Sequence, residues 1–197
     1  LLPLALLTVA AGTVGLLASQ RLAQQAAYLV VVSAGTLLTA FGLGGTAAVS
    51  AGLYYLAHTT FATAALFMLA DVLRRLRGAV GDRLIAGPAL PHGQLFPGLF
   101  LLVILAVTGI PPLSGFIGKF LILQSAADTG SMSWVFSVLL VTSLLGIVAM
   151  ARSGSQIFFD VDSEAKPAAA VHAADLVGLV ILILTGIALV VFANPVY

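Results

Sequence analysis

The sequence predicts an all-α, polytopic transmembrane helix bundle of about six crossings, one of them a discontinuous helix broken near Pro111-Pro112. Three observations predict it. The 197 residues are 61% hydrophobic and 8% charged, with a mean hydropathy of +1.17, outside the range of soluble domains. Apolar windows long enough to cross a bilayer recur at about 1–18, 26–43, 47–73, 134–157 and 173–193, and a longer tract over 95–127 carries almost no charge. Arginine and lysine gather in alternate loops, as they do on one side of a membrane.

The first two windows hold small residues at close spacing, in "TVAAGTVGLLAS" and "SAGTLLTAFGLGG". Between membrane helices such residues let backbones approach, because no hydrophobic drive separates a helix from lipid. The third window closes on Asp71, three and four residues before Arg74 and Arg75, a spacing that predicts an ion pair at the helix end. The stretch 74–94, with Gly87, Pro88, Pro91 and Gly93, reads as a solvated connection.

The tract 95–127 decides the count. As one straight helix its 33 residues would run about 50 Å, too long for a hydrocarbon core of about 30 Å. Read as two helices it gives seven crossings, and as one helix broken at Gly109-Ile110-Pro111-Pro112 it gives six. With six, Arg21, the group Arg74, Arg75, Arg77 and Arg83, and then Arg152 and Lys166 all fall on one side, and the other side has none. The positive-inside rule then favours the broken crossing, puts the basic loops in the cytoplasm and puts both termini outside. The chain divides into a bundle over 1–157, a polar linker over 158–172 and a last helix within 173–197. The acids of "DVDSEAKPAAAVH" read as a solvated face rather than a metal site. The start at Leu-Leu-Pro, without Met or a signal peptide, suggests a piece of a longer chain.

Several function classes are excluded at this level. A formal charge of +1 leaves no basic field for nucleic acid. The absence of cysteine removes disulfides, thiolate zinc sites and cysteine-ligated clusters. No Walker A loop, dinucleotide fingerprint, H-E-x-x-H or G-x-S-x-G occurs. Haem needs facing axial ligands, and His58 is the only histidine inside a window, with His92 and His172 in loops. The reading is therefore neither an enzyme nor a carrier of an intrinsic cofactor.

Two constellations remain. "TGIPPLSGFIGKFLILQSA", 108–126, puts Lys119 in a stretch with no other charge from Leu84 to Ala127. Pro111 and Pro112 free backbone carbonyls at membrane depth, which is tolerated only where the break is buried in protein or lines a wet cavity. Lys119 follows about two turns later, and a charge at the bilayer centre costs about 2.5–3.5 kcal/mol on insertion scales. It has three readings: snorkelling to an interface, a permanent pair with an acid, or a proton bound and released during transport. All seven acids lie at segment ends or in loops, which leaves the proton carrier as the preferred reading. The second constellation is "GLYYLAHTTFATAALFMLAD", 52–71, where His58 is surrounded by Tyr54, Tyr55, Thr59, Thr60 and Thr63. It fits a proton relay, or equally a polar residue bonded to a neighbouring helix.

These residues carry a resemblance. "TGIPPLSGFIGKFLILQSA" resembles the signature around the broken helix of the antiporter-like family, the proton-conducting subunits of complex I and of the Mrp/Pha cation/proton antiporters. "LYYLAHTTFATAALFMLAD" is similar to the preceding helix of that family, most of all in the D-type subunit of Pha/Mrp antiporters. "SQRLAQQAAYLVVVSAG" looks like a weakened form of an earlier connecting segment. The resemblance implies the second inverted five-helix repeat (1–157) and last helix of a fourteen-helix fold, in a bacterial inner membrane. It implies that Lys119 and His58 transfer protons, that Thr59, Thr60, Thr63 and Tyr54 are relay candidates, and that Pro111, Pro112 and Gly115 make the break. It implies partners too: other subunits of a multisubunit antiporter, protons, monovalent cations (sodium or potassium) and the lipid bilayer, with no metal centre and no cofactor. Thr63 stands where many relatives have lysine, and Gln24 and Gln25 where relatives often have basic residues. A redox-driven, complex I-like proton pump and a non-transporting scaffold are the alternatives.

Overall fold

A computed structural model describes residues 1–91, 93–127, 129–162, 171–191 and 193. Among the described residues seven helices run in order: α1 (Leu2–Ala18), α2 (Leu22–Leu43), α3 (Gly45–Leu76), α4 (Leu95–Thr108), α5 (Ser114–Ala126), α6 (Met132–Phe158) and α7 (Ala173–Val191). Two short strands, β1 (Gly87–Pro88) and β2 (Val161–Asp162), pair in parallel. Helices α2, α3, α6 and α7 are each long and apolar enough to cross a membrane. With 17 residues α1 reaches about 25 Å, enough for a short crossing. With 14 and 13 residues, α4 and α5 reach only about 20 Å each, so the two together make one crossing.

Loop geometry agrees with that count. Leu22 N–H donates to the Asp82 carbonyl (2.9 Å), Leu84 N–H to the Gln20 carbonyl (3.0 Å) and Gly87 N–H to the Asp160 carbonyl (3.3 Å). The turns after α1, α3 and α6 therefore meet at one end of the bundle, which requires an even number of crossings between each of these turns and the next. Arg21, Arg77, Arg83 and the end of α6 with Arg152 share that basic end. Of the linker predicted over 158–172, residues 163–170 lie outside the described residues, as does His92.

Residues 74–94 differ from the expected solvated connection. Arg74 and Arg75 continue α3, and Arg77, Asp82, Gly87 and Pro88 are buried. The cause is Arg77, only 2% exposed, whose guanidinium donates to the carbonyls of Gly81 (3.1 Å), Arg83 (2.7 Å) and Ile85. A guanidinium presents several donors in a fixed fork, so one side chain gathers the whole loop around itself. Burial pushes it below its usual pKa, the Asp82 charge opposes this, and arginine remains charged in any protein. At the end of α3, Asp71 pairs as expected with Arg74 (2.6 Å) and Arg75 (3.1 Å), and Arg75 also reaches Asp175 of α7 (2.8 Å).

Small residues set the spacing of α1 and α2. A Cβ at Gly12 would lie 2.9 Å from the Val32 side chain, and one at Gly35 would lie 2.8 Å from the Val9 nitrogen. Toward the basic end the core holds Leu66, Leu69, Leu73, Phe96 and Met150; toward the other end it holds Val9, Ala40, Tyr55, Ile122 and Leu139. The broken crossing lies between them.

Candidate functional site

The break is built by one glycine and two prolines. Gly109 adopts the left-handed conformation (φ 78°, ψ 45°), Gly109 N–H returns to the Ala106 carbonyl (3.2 Å) and Ile110 N–H to the Leu105 carbonyl (3.0 Å), closing α4 with a Schellman motif. The carbonyls of Val107 and Thr108 are left over, because the residues four further on are Pro111 and Pro112, which have no N–H to offer.

Lys119 takes one of them. Its Nζ donates to the Thr108 carbonyl at 2.8 Å and to Ser143 Oγ of α6 at 3.1 Å. Side chains on a helix point toward its N-terminus, so a lysine on the second turn of α5 reaches back to the break. There the ammonium also meets the negative end of the α4 dipole. Its charge is thus held by a carbonyl, a hydroxyl and a helix end, with no carboxylate among the described partners. A cavity of about 20 Å³, enough for a water molecule, is lined by Lys119, Thr108, Ser143, Thr142, Ser33 and Tyr55.

His58 faces the same break from α3. It is 2% exposed, its Nδ1 lies 2.8 Å from Ser114 Oγ at the start of α5, and the backbone of Ala106 at the end of α4 is a second partner. The ring therefore bridges the two half-helices. A neutral imidazole donates to the carbonyl and accepts from the serine; an imidazolium donates to both, and the serine hydroxyl turns to accept. One set of contacts serves both charge states.

Gly115 makes this fit possible. A Cβ there would overlap the Ala106 carbonyl oxygen and lie 2.7 Å from His58 Nε2. Gly118, one turn on, lets α5 lie against α3, where a Cβ would come 2.9 Å from the Tyr55 ring.

Of the remaining residues singled out from the sequence, Thr59 joins a hydroxyl cluster. Its Oγ1 donates to Ser33 Oγ of α2 (2.7 Å), which lies 3.4 Å from Tyr55 Oη. Thr63 instead returns to the Thr59 carbonyl (2.6 Å), and Thr60, exposed, to the Leu56 carbonyl (2.8 Å). Tyr54 Oη reaches across to the Leu189 carbonyl of α7 (3.0 Å). The geometry thus brings Lys119, His58, Thr59, Pro111, Pro112 and Gly115 to one region, and turns Thr60, Thr63 and Tyr54 away. Ser33, Ser114, Thr108 and Ser143 complete it without having been singled out. Among the described residues no group of three or more potential metal ligands occurs.

A multi-pass helix bundle organised around a discontinuous helix with an intramembrane lysine is a recognisable class of membrane subunit. The chain belongs to the NADH:quinone oxidoreductase/Mrp antiporter transmembrane family, whose model matches residues 1–147. It is 35% identical to the probable D-type K(+)/H(+) antiporter subunit of Rhizobium meliloti, over 78% of this chain and 34% of that one. It is 30% identical to the D-type Na(+)/H(+) antiporter subunit of Bacillus subtilis, over 82% of this chain and 32% of that one. The chain thus spans about a third of the length of these curated relatives. Its fold superimposes with a TM-score of 0.82 on a chain of respiratory complex I from Thermus thermophilus, at 24% identity over 100% of this chain and 42% of that one. It matches a chain of the Mrp complex from Dietzia with the same score of 0.82, at 20% identity over 98% and 45%.

Proposed function

We propose that this chain is the proton-translocating part of the D-type subunit of a monovalent cation/proton antiporter in a bacterial inner membrane, and that Lys119 carries the proton. The observation that bears most weight is the setting of the Lys119 ammonium on the Thr108 carbonyl, freed by Pro112, and on Ser143. Neutral dipoles stabilise an ammonium without fixing its proton as a carboxylate would, so the same pocket accepts the neutral amine. The water-sized cavity beside Lys119 gives that proton a place to go, with Ser33 and Tyr55 also in its lining. His58 acts as the lateral station, since its contacts are satisfied in both protonation states.

In this reading residues 1–157 are a five-helix transport repeat, 158–172 a cytoplasmic linker and 173–197 the last helix. The subunit works as a transporter component, coupled electrostatically to neighbouring subunits, rather than as an enzyme. The 35% and 30% identity to antiporter subunits supports cation exchange over a redox-driven pump. The test is cation-dependent proton flux in everted vesicles holding the complete complex. Lys119→Ala at matched assembly is expected to abolish flux and His58→Ala to reduce it about tenfold or more, approaching the range of a positioned acid–base group. Flux retained in Lys119→Ala overturns the reading.

A further inference from the structure

At the basic end, a cavity of about 900 Å³ opens between α1, α2, α6 and the loop after α3. Arg21, Arg83 and Arg152 line it, together with the amides of Gln20, Gln24 and Gln156. Its floor is closed by Gln25 and Ser153, buried and bonded to each other at 2.8 Å. Among the described residues no acidic side chain lines it, and none of these three arginines forms an ion pair. Asp82, next to Arg83 in the loop, is buried and accepts from Ala23 N–H (3.0 Å).

Arg21 and Arg83 are placed opposite each other by the backbone itself. The two residues form an isolated antiparallel bridge, and the bonds that make it run between their neighbours: Leu22 N–H to Asp82 and Leu84 N–H to Gln20. This is the non-hydrogen-bonded type of antiparallel pair, with Cα atoms about 4.5 Å apart and side chains closest together. Like charges placed directly opposite in this way repel. Backbone geometry thus sets Arg21 and Arg83 directly opposite each other in the lining of the cavity, with a third arginine, Arg152, on α6. Such a field repels a sodium or potassium ion and draws an anion. Guanidinium forks and amide donors are groups that match the tetrahedral oxygens of a phosphate, and basic pockets between membrane helices are where anionic headgroups bind.

We propose that this arginine-lined cavity binds a phosphate group, supplied either by the headgroup of an anionic phospholipid or by free phosphate. Lys119 and His58 are not among the residues that line it.

The test uses the complete complex, purified in mild detergent from membranes containing phosphatidylglycerol and cardiolipin. Native mass spectrometry compares wild type with R152Q and with R21Q/R83Q, and thermal unfolding is followed in phosphate against chloride of matched ionic strength. R152Q changes an exposed residue of α6 and leaves the Arg21–Arg83 backbone pairing untouched. Wild type carrying an anionic phospholipid that both variants bind about tenfold more weakly, the worth of one charge-assisted hydrogen bond, supports the site with a lipid source. Equal lipid retention, with phosphate stabilising wild type and neither variant, supports it with free phosphate as the source. Wild type that neither retains anionic phospholipid nor responds to phosphate beyond chloride overturns the proposal, whatever the variants do.

Discussion

At the scale of single residues, the site depends on backbone groups left without partners and on side chains placed to meet them. Thr108 offers a carbonyl because Pro112 cannot donate to it, and Lys119 is the donor that arrives. Gly115 is the tightest point of the arrangement. Gly115→Ala should push α5 away from Ala106 and His58 and cost about 1–3 kcal/mol, the usual penalty of overpacking, read as a lower melting temperature of the assembled complex. Ser114→Ala should leave His58 Nδ1 buried without its partner and cost a similar 1–3 kcal/mol, with flux falling in step with His58→Ala. Ser114→Thr, which keeps the hydroxyl, should recover most of that flux. At the basic end, Arg77→Met would strand the carbonyls of Gly81, Arg83 and Ile85 and should destabilise the loop by about 3 kcal/mol or more. Limited proteolysis within 78–91 reads that loss directly; a loop as resistant as wild type would show that Arg77 is not its organiser.

At the scale of elements, the broken crossing was legible because its signals are local and strong. A glycine, two prolines and a lone lysine in an uncharged tract leave few alternatives once helix length is compared with bilayer thickness. His58 and its helix were legible for the same reason. What the sequence left open is which neighbours complete the site. Ser143 lies within "VTSLLG" of α6, and a serine in an apolar helix looks like any small packing residue until the facing helix is known. Ser114 and Ser33 were hidden likewise. Thr60 and Thr63 show the converse, since hydroxyls close to His58 in sequence can return to their own helix, as these do. The 74–94 stretch was misread because its glycines and prolines look like a solvated loop, whereas one buried arginine organises it from within.

At the scale of the whole molecule, six crossings follow from the meeting of three loops at one end, independently of any charge rule. The topology predicts labelling from opposite sides. The chain has no cysteine, so single cysteines report without background from this region. Gln20→Cys, Ala86→Cys and Asp160→Cys should react with a membrane-impermeant maleimide from one side of the membrane, and Ser131→Cys only from the other. Sidedness shared by Ser131 and the loop positions would break the single-crossing account of α4 and α5. Joined at the basic end and interrupted near the middle, the bundle holds one ammonium between two half-helices and gives it water-sized room on one flank.

The central claim is that the proton on Lys119 moves, rather than that its charge merely holds the bundle together, and Lys119→Arg tests this most directly. Arginine keeps the positive charge and can still donate to Thr108 and Ser143, but it does not release its proton in a protein. Cation-dependent proton flux, measured in everted vesicles at matched assembly, is expected to be lost in Lys119→Arg as fully as in Lys119→Ala. Flux near the wild-type rate with arginine in place would mean that a fixed charge suffices, and that Lys119 is structural.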